Sequence, residues 1–331
     1  MIKMEVQKKE TGPETFNLTL KPLRIVFMGT PDFAVASLDA LVQAGFHIVA
    51  VITAPDKPGG RGMQLQQSAV KKYSVARGIP VLQPEKLKDP VFIDQLQKLK
   101  ADLQIVVAFR MLPEMIWNMP PMGTLNLHGS LLPQYRGAAP INWAVMNGET
   151  ETGVTIFKLK HEIDTGNILL QKSFPVLPDD DAGQVHDKMK AIGAEVLVEA
   201  VKGLIQGTLA EKPQEESDTS PLKPAPKIFK EDCEIDFTKS VSEVYNFIRG
   251  LSPYPGAFCK VEDKIFKIYK AEKRKEIILP GITPMQAGQL QTDGKTYMAF
   301  ACADGFIFAN EVQMEGKKRM PVTDFLRGWK K

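Results

Sequence analysis

The hydrophobic pattern of this 331-residue chain changes character near residue 207. Before that point, short continuous apolar runs alternate with amphipathic stretches. Arg24–Met28, His47–Thr53, Asp102–Ala108 and Thr124–His128 each read as a strand covered on both faces. Between them, Phe33–Ala44, Ser68–Arg77 and Val91–Lys100 carry apolar residues at helical spacing, and Gly45 closes the first. Such alternation predicts a parallel, doubly wound α/β sheet whose ligands bind beyond the carboxyl ends of the strands. Gly153–Pro175 reads as two further strands around a turn, and Ala182–Ile205 as a long helix.

Gly207–Lys227 is different: rich in Pro, Glu, Ser and Lys, without periodicity, it reads as an interdomain linker. Beyond it lies one helix, Val241–Arg249. Short β-like runs follow at Ala257–Val261, Ile265–Tyr269, Gly288–Thr292, Tyr297–Ala301 and Gly305–Phe308. Short strands at close spacing predict a small β-barrel. The expected division is thus an extension (1–22), an α/β domain (23–206), a linker (207–227) and a β domain (228–331). Met1–Pro22 is polar and lacks the apolar core of a secretory leader, so a disordered extension is expected. No apolar run approaches the ~20 residues that cross a membrane, so no membrane partner is expected.

Charge and cysteines change this picture only slightly. From Leu222 onward there are 19 Lys and Arg against 14 Asp and Glu, a surplus of 5, whereas the whole chain carries +3. A mildly basic last third suits a polyanion such as nucleic acid, although scattered solvated lysines give the same count. Cys233, Cys259 and Cys302 are too far apart for a disulfide framework or a metal knuckle. They read as buried free thiols in a reducing cytosol. No pair of His or Cys residues has metal-ligand spacing, so no metal is expected.

The candidate chemistry sits at the end of one strand. Asn126 and His128 are two residues apart, so in an extended chain they project from the same face. Asp164 offers a carboxylate in the turn His161–Gly166. Amide, imidazole and carboxylate suit acyl or formyl transfer to an amine, because attack on a carbonyl builds an oxyanion and releases a proton. For His128 alone the bland alternative is a satisfied core histidine, and for Asp164 a turn carboxylate. His47, His161 and His186 read as structural or surface residues. Gly29-Thr30-Pro31-Asp32 follows the first strand but is not G-x-G-x-x-G, and no G-x-x-x-x-G-K-[ST] loop occurs. There is therefore no case for a dinucleotide or a nucleoside triphosphate. Ala54–Met63 is a Gly/Pro loop carrying Lys57 and Arg61, either an idle surface loop or a basic finger for a phosphate backbone. Lys317-Lys318-Arg319 is a basic triplet of the same ambiguity.

These segments resemble the folate-dependent formyltransferases, and among them the branch that acts on methionyl-tRNA. The resemblance rests on Arg24–Ala34, Pro55–Gly62, Asn126–Pro140, Glu151–Ile156 and Asp164–Gly166. In the last third it rests on Lys230–Asp236, Ile248–Pro255 and Lys267–Ala271. It implies a Rossmann-like catalytic domain followed by an OB-type β-barrel. It also implies transfer of the formyl group of 10-formyltetrahydrofolate to the α-amine of methionyl initiator tRNA, in the cytoplasm, by a chain expected to be monomeric. Asn126, His128 and Asp164 would then be catalytic. Ser130, Leu131, Leu132 and Pro133 would border the folate. Lys57, Arg61, Lys317, Lys318 and Arg319 would meet the tRNA. One departure is Arg110 after Phe109, where many members have glycine; it either faces the folate tail or turns to solvent. A transferase for a small amine, a formyltetrahydrofolate hydrolase and a non-catalytic tRNA-binding protein are the alternatives.

Overall fold

The structure, a computed structural model, describes residues 22–59, 64–214, 221–275 and 286–329. The first half opens with Arg24–Gly29 (β1), Asp32–Gln43 (α1), His47–Ile52 (β2), Lys57–Gly59 (β3), Gln64–Gln66 (β4), Ala69–Ala76 (α2), Val81–Leu82 (β5) and Pro90–Lys98 (α3). It continues with Leu103–Val107 (β6), Glu114–Trp117 (α4), Thr124–His128 (β7), Pro140–Met146 (α5), Glu151–Lys158 (β8), Ile168–Pro175 (β9) and Ala182–Gln206 (α6).

The apolar runs become the middle of one seven-stranded sheet, ordered β5-β2-β1-β6-β7-β8-β9. The first five strands are parallel, as the alternation predicts. β8 and β9 return antiparallel as a hairpin at one edge. Ile25, Val26, Phe27 and Met28 of β1 are fully enclosed, which a strand covered by helices on both faces requires. At the end of β1, a Cβ on Gly29 would lie 2.6 Å from the Ala34 Cβ. Glycine there lets α1 start directly above the strand. α6 is fixed at its start by a capping box of Asp181 and Gln184 and ends on Gly207 at φ +68°.

The second half contains Val241–Gly250 (α7), Ala257–Val261 (β10), Lys264–Arg274 (β11), Leu290–Thr292 (β12), Met298–Ala301 (β13), Phe306–Met314 (β14), Met320–Pro321 (β15) and Val322–Arg327 (α8). Its strands form an antiparallel sheet ordered β10-β11-β14-β13-β12, with β15 against β14. The arrangement is an OB-like half-barrel. Phe266 and Phe300 centre its core, with Val241, Val244 and Ile248 of α7 and Phe325 of α8 among the other members. β11 and β14 are longer than their apolar runs suggested. Lys270, Glu272 and Lys273 extend β11, and Glu311 and Gln313 extend β14, so solvated positions conceal the strand from a hydrophobicity reading.

The two halves are packed together. Asn142 Nδ2 donates to the Gly250 carbonyl (2.8 Å), and the buried Arg249 donates through Nη1 to the Asp180 carbonyl (2.8 Å). The stretch 207–227 also runs against the first half where it is described. Lys212 bridges Ile168, and Ala225 bridges Gly137. Among the described residues, no helix is long and apolar enough to cross a membrane.

Candidate active site

A cavity of about 720 Å³ opens at the carboxyl ends of β1, β6 and β7. This is where the strand order reverses, the place at which open α/β sheets bind ligands. Pro31 and Phe33 wall it at the start of α1, Val106 and Ala108–Leu112 at the end of β6, and Asn126–Gly129 from β7. The loop 137–142 and the β8–β9 turn, residues 159–164, close the other side.

Asn126, His128 and Asp164 all line this cavity. Asn126 is half-buried, and its carboxamide makes no hydrogen bond within the described residues. An amide held on a central strand and free of protein partners can donate to a substrate oxygen. His128 is only 7 % exposed. Its Nε2 lies 2.9 Å from the Tyr135 carbonyl oxygen. A carbonyl can only accept, so Nε2 carries the hydrogen and the neutral ring keeps its lone pair on Nδ1. Nδ1 faces the Asp164 carboxylate at 3.9 Å, within ion-pair range but beyond a hydrogen bond. The edge of Phe157 packs against the ring.

Asp164 occupies the left-handed region at φ +55°, which Asp tolerates better than most residues. Its Oδ2 accepts the Gly137 amide at 3.0 Å. Gln214 donates to the carbonyls of Asp164 and Gly166, both at 2.8 Å. Tyr135 is also left-handed, at φ +60°. Its hydroxyl donates to Glu149, which accepts in addition from Lys223. Burial, and next the bond to Glu149, push the Tyr135 phenol well above its ordinary value, so it stays protonated.

Other expected residues are placed differently. Ser130, Leu131, Leu132 and Pro133 do not line the cavity. Ser130 is fully buried and donates to the Gln134 carbonyl at 2.6 Å. Leu131 packs on Gly153. Leu132 is buried, and its amide donates to Thr155 Oγ1 at 3.1 Å. The chain turns inward after Gly129, so Ser130, Leu131 and Leu132 fasten the His128 loop from behind. Arg319 is not available as a free cation. It forks onto Glu311 with two bonds of 2.7 Å and stacks over the Tyr269 ring. Lys57, Lys317 and Lys318 are exposed. Arg61 lies outside the described residues.

Arg110 is exposed, as one of its two expected placements has it. It lines the cavity mouth, donates through Nη1 to the Glu85 carbonyl (2.8 Å) and through Nη2 to the Pro84 carbonyl, and so ties down the loop after β5. The sequence reading also missed Tyr135, Gln214 and the wall residues Phe33, Lys160 and His186. Tyr135 stands inside the quoted motif, but nothing local marks Gln214, which lies in a stretch without periodicity.

Fold and site together describe an enzyme of the acyl- and formyl-transfer class: an amide without a partner among the described residues, an imidazole of fixed tautomer and a carboxylate at the switch point of a Rossmann-like sheet. Residues 23–201 match the family model described as formyl transferase, and residues 227–330 match the model of its C-terminal domain. The chain belongs to the formyl transferase family. It is 57 % identical over 316 residues to a methionyl-tRNA formyltransferase of Parabacteroides distasonis, covering 93 % of this chain and 96 % of that one. It is 52 % identical over 313 residues to a methionyl-tRNA formyltransferase of Bacteroides fragilis, with 93 % and 95 % covered. Among solved structures, the fold is shared with an N-formyltransferase from Helicobacter canadensis in complex with folinic acid and dTDP-3-aminofucose. There the TM-score is 0.64 at 22 % identity, over 88 % of this chain and 99 % of that one. It is also shared with HypX from Aquifex aeolicus in complex with tetrahydrofolic acid, at TM-score 0.63 and 20 % identity, over 94 % of this chain and 50 % of that one.

Proposed function

We propose that this enzyme transfers the formyl group of 10-formyltetrahydrofolate to the α-amine of methionyl initiator tRNA. The observation that carries the acceptor is the identity of 57 % to a methionyl-tRNA formyltransferase across both halves of the chain. The fold alone does not choose the acceptor, since an N-formyltransferase in complex with dTDP-3-aminofucose shares it over 88 % of this chain at only 22 % identity. The folate fits the cavity found here: about 720 Å³ is ample for a drug-sized ligand, and Phe109, Leu112, Trp117 and Leu159 offer apolar walls.

The chemistry follows from the geometry. The amine nitrogen attacks the formyl carbon, and the carbonyl oxygen becomes an oxyanion. Asn126 donates its free amide to that oxygen. His128 works through Nδ1, because its Nε2 hydrogen is committed to Tyr135. The Nδ1 lone pair takes the proton that the amine sheds, and the resulting imidazolium is balanced by Asp164. Collapse breaks the bond between the formyl carbon and N10 of the folate, and N10 takes the proton back from the His128 imidazolium, which returns the ring to its neutral form. Lys57, Lys317, Lys318 and, in the same loop as Lys57, Arg61 supply cations toward the tRNA backbone. The reading places a monomer in the cytoplasm. Single-turnover transfer to methionyl-tRNA by the wild type and by Asn126→Ala tests it. A wild type that transfers formyl, and a variant that binds both substrates yet transfers slowly, are expected. An inactive wild type overturns the reading.

A further inference from the structure

The stretch that joins the two halves reaches into the catalytic loops. Its first described part ends at Gln214, whose side-chain amide is fully used. Nε2 donates to the carbonyls of Asp164 and Gly166, and Oε1 accepts from Arg136 Nη2 (2.7 Å) and Nε (3.1 Å). Gln214 therefore cross-links the turn that carries Asp164 to the loop that carries the Tyr135 carbonyl.

The second described part lies along the same loop. The Tyr135 amide donates to the Lys223 carbonyl (2.7 Å), the Ala225 amide to the Arg136 carbonyl (2.8 Å), and the Ala139 amide to the Ala225 carbonyl (3.1 Å). Lys223-Pro224-Ala225-Pro226 is held extended by its prolines, which also leave Ala225 as the one donor between them. The approach is close: a Cβ on Gly137 would lie 2.3 Å from the Ala225 oxygen. Gly137 in turn donates to Asp164.

We propose that the interdomain segment is part of the active-site scaffold, with Gln214 a positioning residue that holds Asp164 opposite His128 Nδ1. Two left-handed residues, Tyr135 and Asp164, carry the partners of His128. Left-handed residues persist only where their surroundings over-determine them, and here the segment supplies those surroundings. Its register against residues 135–139 thereby couples the seating of the C-terminal half to the geometry of the formyl-transfer site. The inference rests on the function proposed above.

The test compares the full-length wild type with Gln214→Met and Gln214→Glu. Met keeps the length and loses every hydrogen bond. Glu keeps the acceptor for Arg136 and loses both donors to the Asp164 turn. Both variants are expected to lose kcat about tenfold or more, with KM for folate and for methionyl-tRNA within about threefold of wild type. In protein labelled with ¹⁵N-histidine, both are expected to move the His128 Nδ1 resonance, assigned by its loss in His128→Gln. Wild-type kcat in Gln214→Glu, or an unmoved Nδ1 resonance in both variants, overturns the inference. An inactive wild type would instead overturn the proposed function, and the resonance still reports on Gln214 in that case.

Discussion

His128 donates from Nε2 to the backbone carbonyl of Tyr135 across 2.9 Å, and this one bond decides which ring nitrogen can work. The other nitrogen faces Asp164 and the cavity. A backbone carbonyl cannot be titrated or exchanged by mutation, so the tautomer is built into the path of the chain.

The first prediction concerns the two residues of β7. His128→Ala and Asn126→Ala should each lower kcat by ~10²-fold or more, the usual scale for one acid–base group or one oxyanion donor. Asn126 makes no side-chain hydrogen bond within the described residues, so its replacement should leave the urea midpoint unchanged. Stopped-flow transfer rates and urea melts check both statements, and near-normal turnover of His128→Ala would refute its role.

Asp164→Asn separates charge from shape. Asn tolerates the left-handed backbone and still accepts the Gly137 amide. The variant should fold, bind folate and lose kcat, because a neutral amide cannot balance the imidazolium. Full activity in Asp164→Asn would assign Asp164 to the turn alone.

Glu149 links the site to acid stability. Burial alone would raise its carboxyl, but the bonds from Lys223 and Tyr135 outweigh burial and hold it below the ordinary value of 4.5. A depressed carboxyl stabilises the fold above the unfolded-state value, and that contribution is lost as pH falls through the folded one. Urea stability should therefore drop below about pH 4.5, and Lys223→Met should flatten that drop. An identical acid limb in the variant would contradict the pairing.

The basic residues divide by their partners. Lys57→Ala, Lys317→Ala and Lys318→Ala should each reduce the salt dependence of tRNA binding, by up to ~1 in the log–log slope. Arg319→Ala should leave that slope alone and lower stability, because its fork on Glu311 and its stack on Tyr269 join β15 to the sheet. Filter binding from low to physiological salt distinguishes the two.

How much of this was legible before folding varies by residue. The parallel core was legible, because strands such as Arg24–Met28 are buried on both faces and show unbroken apolar runs. The antiparallel direction of β8 and β9 was not, since strand polarity leaves no periodic trace. β11 and β14 were read short because one face of each is solvated. At the site, Asn126 and His128 could be paired through the two-residue period of a strand. Asp164 could be grouped with them by its chemistry, but no periodicity places it beside His128, 36 positions earlier in the chain. Ser130–Pro133 lie behind the cavity lining, and a conspicuous motif does not say which of its residues face a cavity. Gln214 was invisible: its role depends on where an aperiodic segment is laid down, and the prolines that mark the segment as a linker are those that keep it extended.

The central claim is tested most directly by measuring formyl transfer from 10-formyltetrahydrofolate to charged initiator tRNA beside free methionine and glycinamide ribonucleotide. The account predicts rapid transfer to the charged tRNA and little or none to the two small amines. Efficient formylation of either small amine, with the charged tRNA left unmodified, would contradict it.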